Sequence, residues 1–139
     1  MKLVLDTNFF ILHYFSKGDV AAKTRVVLNK CRKTGNAGLI PAIVIGESYA
    51  VIERTAGRST AEKAYAEFMK SGLQLLNMTP EIARQAGIFR IKYHEAIPWG
   101  DCIIAATAIG HGADHIVTED LHFKAIDEIS ARTLDELRL

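Results

Sequence analysis

Cysteine is scarce in this chain of 139 residues, which holds two, Cys31 and Cys102, in no Cys-x-x-Cys spacing. That scarcity excludes a disulfide-stapled scaffold and a zinc ribbon, and both thiols read as reduced core residues of a cytoplasmic protein. No apolar run approaches the length that crosses a bilayer, so no membrane association is expected. The start, one Lys and a short apolar span reaching Asp6, lacks the make-up of a signal peptide. Charge of one sign is not in excess either: the formal net charge is +1. Near-neutrality speaks against non-specific coating of nucleic acid, while leaving room for an enzyme with a local basic groove. Repeats, low-complexity tracts and Pro/Gly/Ser-rich linkers are all lacking. With 49% hydrophobic residues, residues 1–139 are expected to form one domain with a proper core.

What is present alternates. Lys2 to Leu5 reads as a strand and Asn8 to Phe15 as a helix. A second helix is expected from Asp19 to about Thr34, with a basic last turn. A strand follows near Ala37 to Ile40, and a helix runs from Pro41 to about Arg54. After a turn at Gly57 to Thr60, a helix to Lys70 leads into the strand "LQLLN". Thr79-Pro80-Glu81 is a strong helix start, with Thr as cap and Pro in the first position. "IPWGD" reads as a turn before the small-residue helix "CIIAATAIG". His115 to Thr118 and Arg132 to Leu134 are the last strands. Such alternation predicts an α/β fold, a central parallel sheet of four to five strands between two helical layers. Ligands of such sheets bind beyond the carboxyl ends of the strands, where strand order reverses.

Four acids fall where that rule points. Asp6 directly follows the first strand, as either a helix cap or a ligand. Glu47 has Ile43, Val44, Ala50 and Val51 three and four places away, so it projects from an apolar stripe. It is either a snorkelling carboxylate at the core rim or a functional one. Asp101 opens a nearly uncharged helix, where the dipole alone would favour an acid. "VTED" places Thr118 and Asp120 on one side of the chain and Glu119 on the other. Each position has an ordinary explanation, but a parallel sheet would gather all four on one edge. Converging carboxylates repel unless a cation holds them. Oxygen-only ligands favour Mg²⁺ or Mn²⁺, which keep waters and meet phosphates, so phosphoester hydrolysis follows as the natural chemistry.

Together "LVLDTNFF", "IGES" and "IPWGDCIIAATAIGHGADHIVTEDLHF" resemble the PIN domain, and most closely the VapC-type toxins of prokaryotic toxin–antitoxin pairs. The resemblance covers nearly the whole chain in order and spacing. It implies a Mg²⁺- or Mn²⁺-dependent ribonuclease that dimerises and is silenced by a cognate antitoxin protein. It also implies a metal site of Asp6, Glu47, Asp101 and Asp120, supported by Asn8 and Thr118. Glu119, at the variable position of Thr-x-Asp, replaces or assists Asp120. In the mechanism so implied, Asp6 and Asp101 hold one ion, and Asp120 completes the site or binds a second. Glu47 orients the attacking water.

RNA also needs positive charge. Arg54 and Arg58, on or just past the helix of Glu47, have the best claim among Lys17, Arg54, Arg58, Arg84, Arg90 and Lys92, most of which read as solvated surface. Trp99 reads as a packed turn residue or a base-stacking one. "FFILHYF" is apolar around its circumference, so some of it is left either for the core or for a partner. His111 and His115 are separated by helix-breaking Gly112, which argues against zinc. A competing enzyme class, the aspartyl-phosphate phosphohydrolases, expects a second Asp two residues after the first, where this chain has Asn8. A non-catalytic module with the same fold would have no reason to keep four converging charges.

Overall fold

A computed structural model describes all 139 residues. Its sheet has five parallel strands: β1 (Lys2–Leu5), β2 (Ala37–Pro41), β3 (Gln74–Leu76), β4 (His115–Val117) and β5 (Ala131–Arg132). Their spatial order is β3-β2-β1-β4-β5. From β1 the chain therefore steps outward through β2 and β3 on one side, then returns to place β4 on the other. The order reverses between β1 and β4. Both are continuous apolar runs, as a parallel strand covered on both faces must be, and Leu3, Val4, Leu5, Ile116 and Val117 are buried.

Six helices flank the sheet: α1 (Thr7–Phe15), α2 (Gly18–Cys31), α3 (Ala42–Ala56), α4 (Arg58–Met69), α5 (Pro80–Lys92) and α6 (Trp99–Gly110). Helix α6 buries Cys102 and then every residue from Ile104 to Ala108, which explains its lack of charge. Small side chains there let α6 lie close to α5 and the sheet. Gly38 serves the same end in β2: a Cβ there would meet Leu73 Cδ2 at 2.7 Å and Cys31 Cβ at 2.8 Å. Both cysteines are free and buried. No helix is long and apolar enough to cross a membrane.

Several boundaries differ from the expected ones. Helix α2 stops at Cys31, so Arg32 and Lys33 lie past its last turn. Helix α4 begins at Arg58, because Gly57, at φ +88°, turns the chain directly out of α3. Pro98 rather than Asp101 precedes α6, so Trp99 and Gly100 are helical. The last strand is Ala131–Arg132. A 3₁₀ turn at Leu121–Ala125, absent from the sequence reading, follows β4 and is anchored by the buried Phe123. In α1 only Phe9 and Phe10 are fully buried; Phe15 is exposed.

Candidate active site

The loops leaving β1 and β4 are tied together at the point where strand order reverses. Asp6, only 3% exposed, accepts a hydrogen bond on Oδ2 from the Thr118 hydroxyl at 2.6 Å. Its Oδ1 accepts from the backbone N–H of Asn8 and, at 3.4 Å, from that of Phe9. Asp6 thus caps α1 and faces the site at once. The Thr118 hydroxyl in turn accepts from the Asp120 N–H at 2.9 Å. Asn8 accepts from the Glu119 N–H on its side-chain carbonyl at 3.3 Å. With that oxygen engaged, Asn8 is a brace between the two loops.

Glu47 reaches this edge from the second turn of α3. Its Oε1 accepts from the Thr7 hydroxyl at 2.8 Å. Its other oxygen lies against α6, where a Cβ on Gly100 would stand 2.7 Å away. One oxygen is therefore anchored to the start of α1 and the other occupies space that only glycine leaves open. Asp101 projects from the first turn of α6, where the helix dipole favours a carboxylate.

The remaining groups sit at the rim, in order of rising exposure: Asp101, Asp120 and His122. Asp120 Oδ1 accepts from the His122 N–H at 2.9 Å and opens the 3₁₀ turn. His122 Nδ1 is 3.2 Å from Asp101 Oδ2 and 3.2 Å from Asp120 Oδ1. Burial pushes the Asp6 carboxyl up to about 6 despite its three hydrogen bonds, and the charge of Asp101 adds to the rise. Burial also pushes Asp101 up to about 6, with Asp120 and then Glu47 adding repulsion and His122 opposing it. Asp101 thus lies in the field of Asp120 and Glu47, and Asp6 in that of Asp101. Such a donor set, rich in oxygen and destabilised first by burial and then by mutual repulsion, fits a hard divalent cation.

Glu119 is turned to other work: its carboxylate accepts from the Leu134 N–H at 2.8 Å, alongside β5. Arg58 pairs with Glu53 at 3.0 Å, whereas Arg54 is exposed and makes no ion pair. Arg90, one of the surface cations in the sequence reading, instead holds the turn before α6. It donates to the carbonyls of Glu95 and Ile97 at 3.0 and 2.6 Å, across a bend in which His94 and Glu95 have positive φ. Its guanidinium also stacks 5.2 Å from the ring centre of Trp99. Trp99 is exposed rather than packed, two residues before Asp101. Thr7, Gly100 and His122 are the groups that sequence reasoning missed. His122 stood inside the "TEDLHF" motif, two places past Asp120. A surface depression near Met1, His115 and Arg132 lies at the amino ends of β1 and β4, away from the acids.

The sequence model of the PIN domain matches residues 3–129. Among curated proteins none matches the chain. Solved structures with the same fold include DNA-bound VapBC from Salmonella typhimurium, at 21% identity and a TM-score of 0.78, covering 96% of this chain and 98% of that one. VapBC-1 from nontypeable Haemophilus influenzae is 19% identical, with a TM-score of 0.75 and coverage of 97% and 99%. The sarcin–ricin-loop-cleaving toxin VapC20 of Mycobacterium tuberculosis is 17% identical, with a TM-score of 0.74 and coverage of 88% and 93%.

Proposed function

The chain belongs to the PIN domain family, and on that premise we propose that it is a Mg²⁺- or Mn²⁺-dependent endoribonuclease, the toxin of a VapBC-type pair. In this reading residues 1–139 form one catalytic domain that dimerises and is silenced by a cognate antitoxin. The observation that carries the reading is the run of carboxylates at the strand-order reversal, Asp101 in the field of Asp120 and Glu47 and Asp6 in that of Asp101, with Asp6 and Asp101 both raised to about 6. Buried carboxyls held up in this way, with further acids beside them, are suited to completion by a cation. Structural relatives determined together with an antitoxin support the partner, and the RNA-cleaving relative supports the substrate.

Asp6, Asp101 and Asp120 would hold the metal, which when bound supplies positive charge against the scissile phosphate and makes water a better nucleophile. Glu47 would take the proton of the attacking water, since the Thr7 hydroxyl fixes one of its oxygens and leaves the other toward Asp101's helix. In-line attack breaks the P–O3′ bond, leaving a 5′-phosphate and a 3′-hydroxyl. Asn8 and Thr118 keep Asp6 and the β4 loop in register. Glu119, bound to the Leu134 backbone, would hold β5 rather than the ion. Arg54, unpaired, is the better of the two arginine candidates for the RNA backbone.

Cleavage of single-stranded RNA by the purified protein should appear with Mg²⁺ or Mn²⁺, vanish with EDTA and return on adding the ion in excess. Undiminished cleavage in EDTA would rule the proposal out. Glu47's position gives a finer test. Gly100→Ala forces the carboxylate end of Glu47 aside, a flexible group, so melting should change by less than about 1 kcal/mol. Cleavage should nevertheless fall roughly a hundredfold, the usual cost of displacing a catalytic group by about 1 Å. Full activity in that variant would show that Glu47 has no placed role.

A further inference from the structure

Asp101 and Asp120 repel each other, and an imidazole stands between them. The His122 Nδ1 is 3.2 Å from a carboxylate oxygen of each, and the three groups' ligand atoms all lie within 4.8 Å of one another. We propose that His122 is a nitrogen ligand of the divalent cation and biases this centre toward Mn²⁺ over Mg²⁺. The proposal rests on the metal-dependent reading above and adds to it a residue and a preference.

The spacing suits ligation. Bonds of about 2.1 Å in an octahedral site put neighbouring ligand atoms about 3 Å apart, close to the two separations seen at Nδ1. His122 is also held in place, although its side chain is half exposed. Its backbone N–H is bound to Asp120, and the next residue, Phe123, is completely buried. Nδ1 faces both acids, the position from which its lone pair would meet a cation held between them. Mg²⁺ is small and hard and gives up water reluctantly, so it gains little from an imidazole. Mn²⁺ belongs to the first-row series whose ions bind nitrogen progressively better, while the surrounding carboxylates still suit it. A nitrogen at this point therefore separates two ions that an all-oxygen site would hold much alike.

The test uses the full chain stripped with EDTA and loaded with Mn²⁺ alone. Electron spin-echo modulation should show coupling of the bound Mn²⁺ to ¹⁴N, and His122→Gln should abolish it. Calorimetric titration should show the Mn²⁺-to-Mg²⁺ affinity ratio falling at least about tenfold in His122→Gln, mostly through weaker Mn²⁺ binding. Mn²⁺ bound without nitrogen coupling in the unaltered protein, or an unchanged ratio in the variant, would overturn the role of His122 and leave the metal reading standing. Failure of the unaltered protein to bind Mn²⁺ at all would overturn both.

Discussion

Asp101→Asn is expected to lower RNA cleavage at least about a thousandfold while leaving the metal-free protein as stable as the parent, or more so. Loss of rate follows because an amide cannot supply the charge that holds a divalent cation. The stability half follows from the sign of the pKa shift. Asp101 titrates near 3.8 when unfolded and is pushed up to about 6 in the fold, first by burial and then by Asp120. Its ionised form is therefore a liability at neutral pH, and a neutral isostere removes that liability. The dipole of α6 opposes this by about 0.3–1 kcal/mol, less than burial and repulsion together. Asp6→Asn would be a poorer test, since Asp6 accepts three hydrogen bonds and its amide would face the Thr118 hydroxyl. Melting in EDTA at pH 7.5, paired with cleavage in Mn²⁺, measures both halves. A variant that melts well below the parent would mark Asp101 as structural.

The acids were legible for one reason: each is a charge set beside apolar sequence, and the rule of parallel sheets says where strand ends gather. Asp6 needed only the strand before it, and Glu47 only its helical neighbours. The strand order, with its reversal between β1 and β4, agrees with the edge on which those readings depended. His122 was hidden because a 3₁₀ turn has too short a period to leave a pattern, and its neighbours in sequence carry no apolar stripe. Thr7 and Gly100 were hidden for another reason. Their importance is a distance to Glu47, and that exists only after α1, α3 and α6 converge. The two readings of Trp99 part with the start of α6: the residue opens that helix and faces solvent instead of packing in a turn. Arg90 reads as a surface cation until the bend at His94 and Glu95 is seen to need its donors.

Metal should stabilise the protein strongly at pH 7.5 and little at pH 5, and the reason lies in the same carboxyls. Below about 3.8 Asp6 is protonated in folded and unfolded chains alike, and nothing is lost. Between 3.8 and about 6 the folded chain keeps a proton that the unfolded one gives up, so this group's contribution to stability falls as pH rises. Above that window the metal-free protein bears the full cost of the buried charge, roughly 3 kcal/mol for Asp6. A cation replaces the protons of Asp6 and Asp101, so its apparent affinity should weaken as pH falls through 6, by up to about a hundredfold per pH unit where two protons are displaced. At 100 times its dissociation constant, the ion adds about 2.7 kcal/mol, or roughly 10 °C in melting temperature for a domain of this size. Surface pairs shift in the opposite direction: Glu136, held at about 2 by its hydrogen bond from Lys124, favours the folded chain as pH rises from about 2 to 4.5. The informative quantity is therefore the melting difference with and without Mn²⁺ at each pH, in which such pairs cancel. A difference that stays constant from pH 5 to 7.5 would mean that the ion displaces no protons, and the buried carboxyls of Asp6 and Asp101 would lose their claim to it.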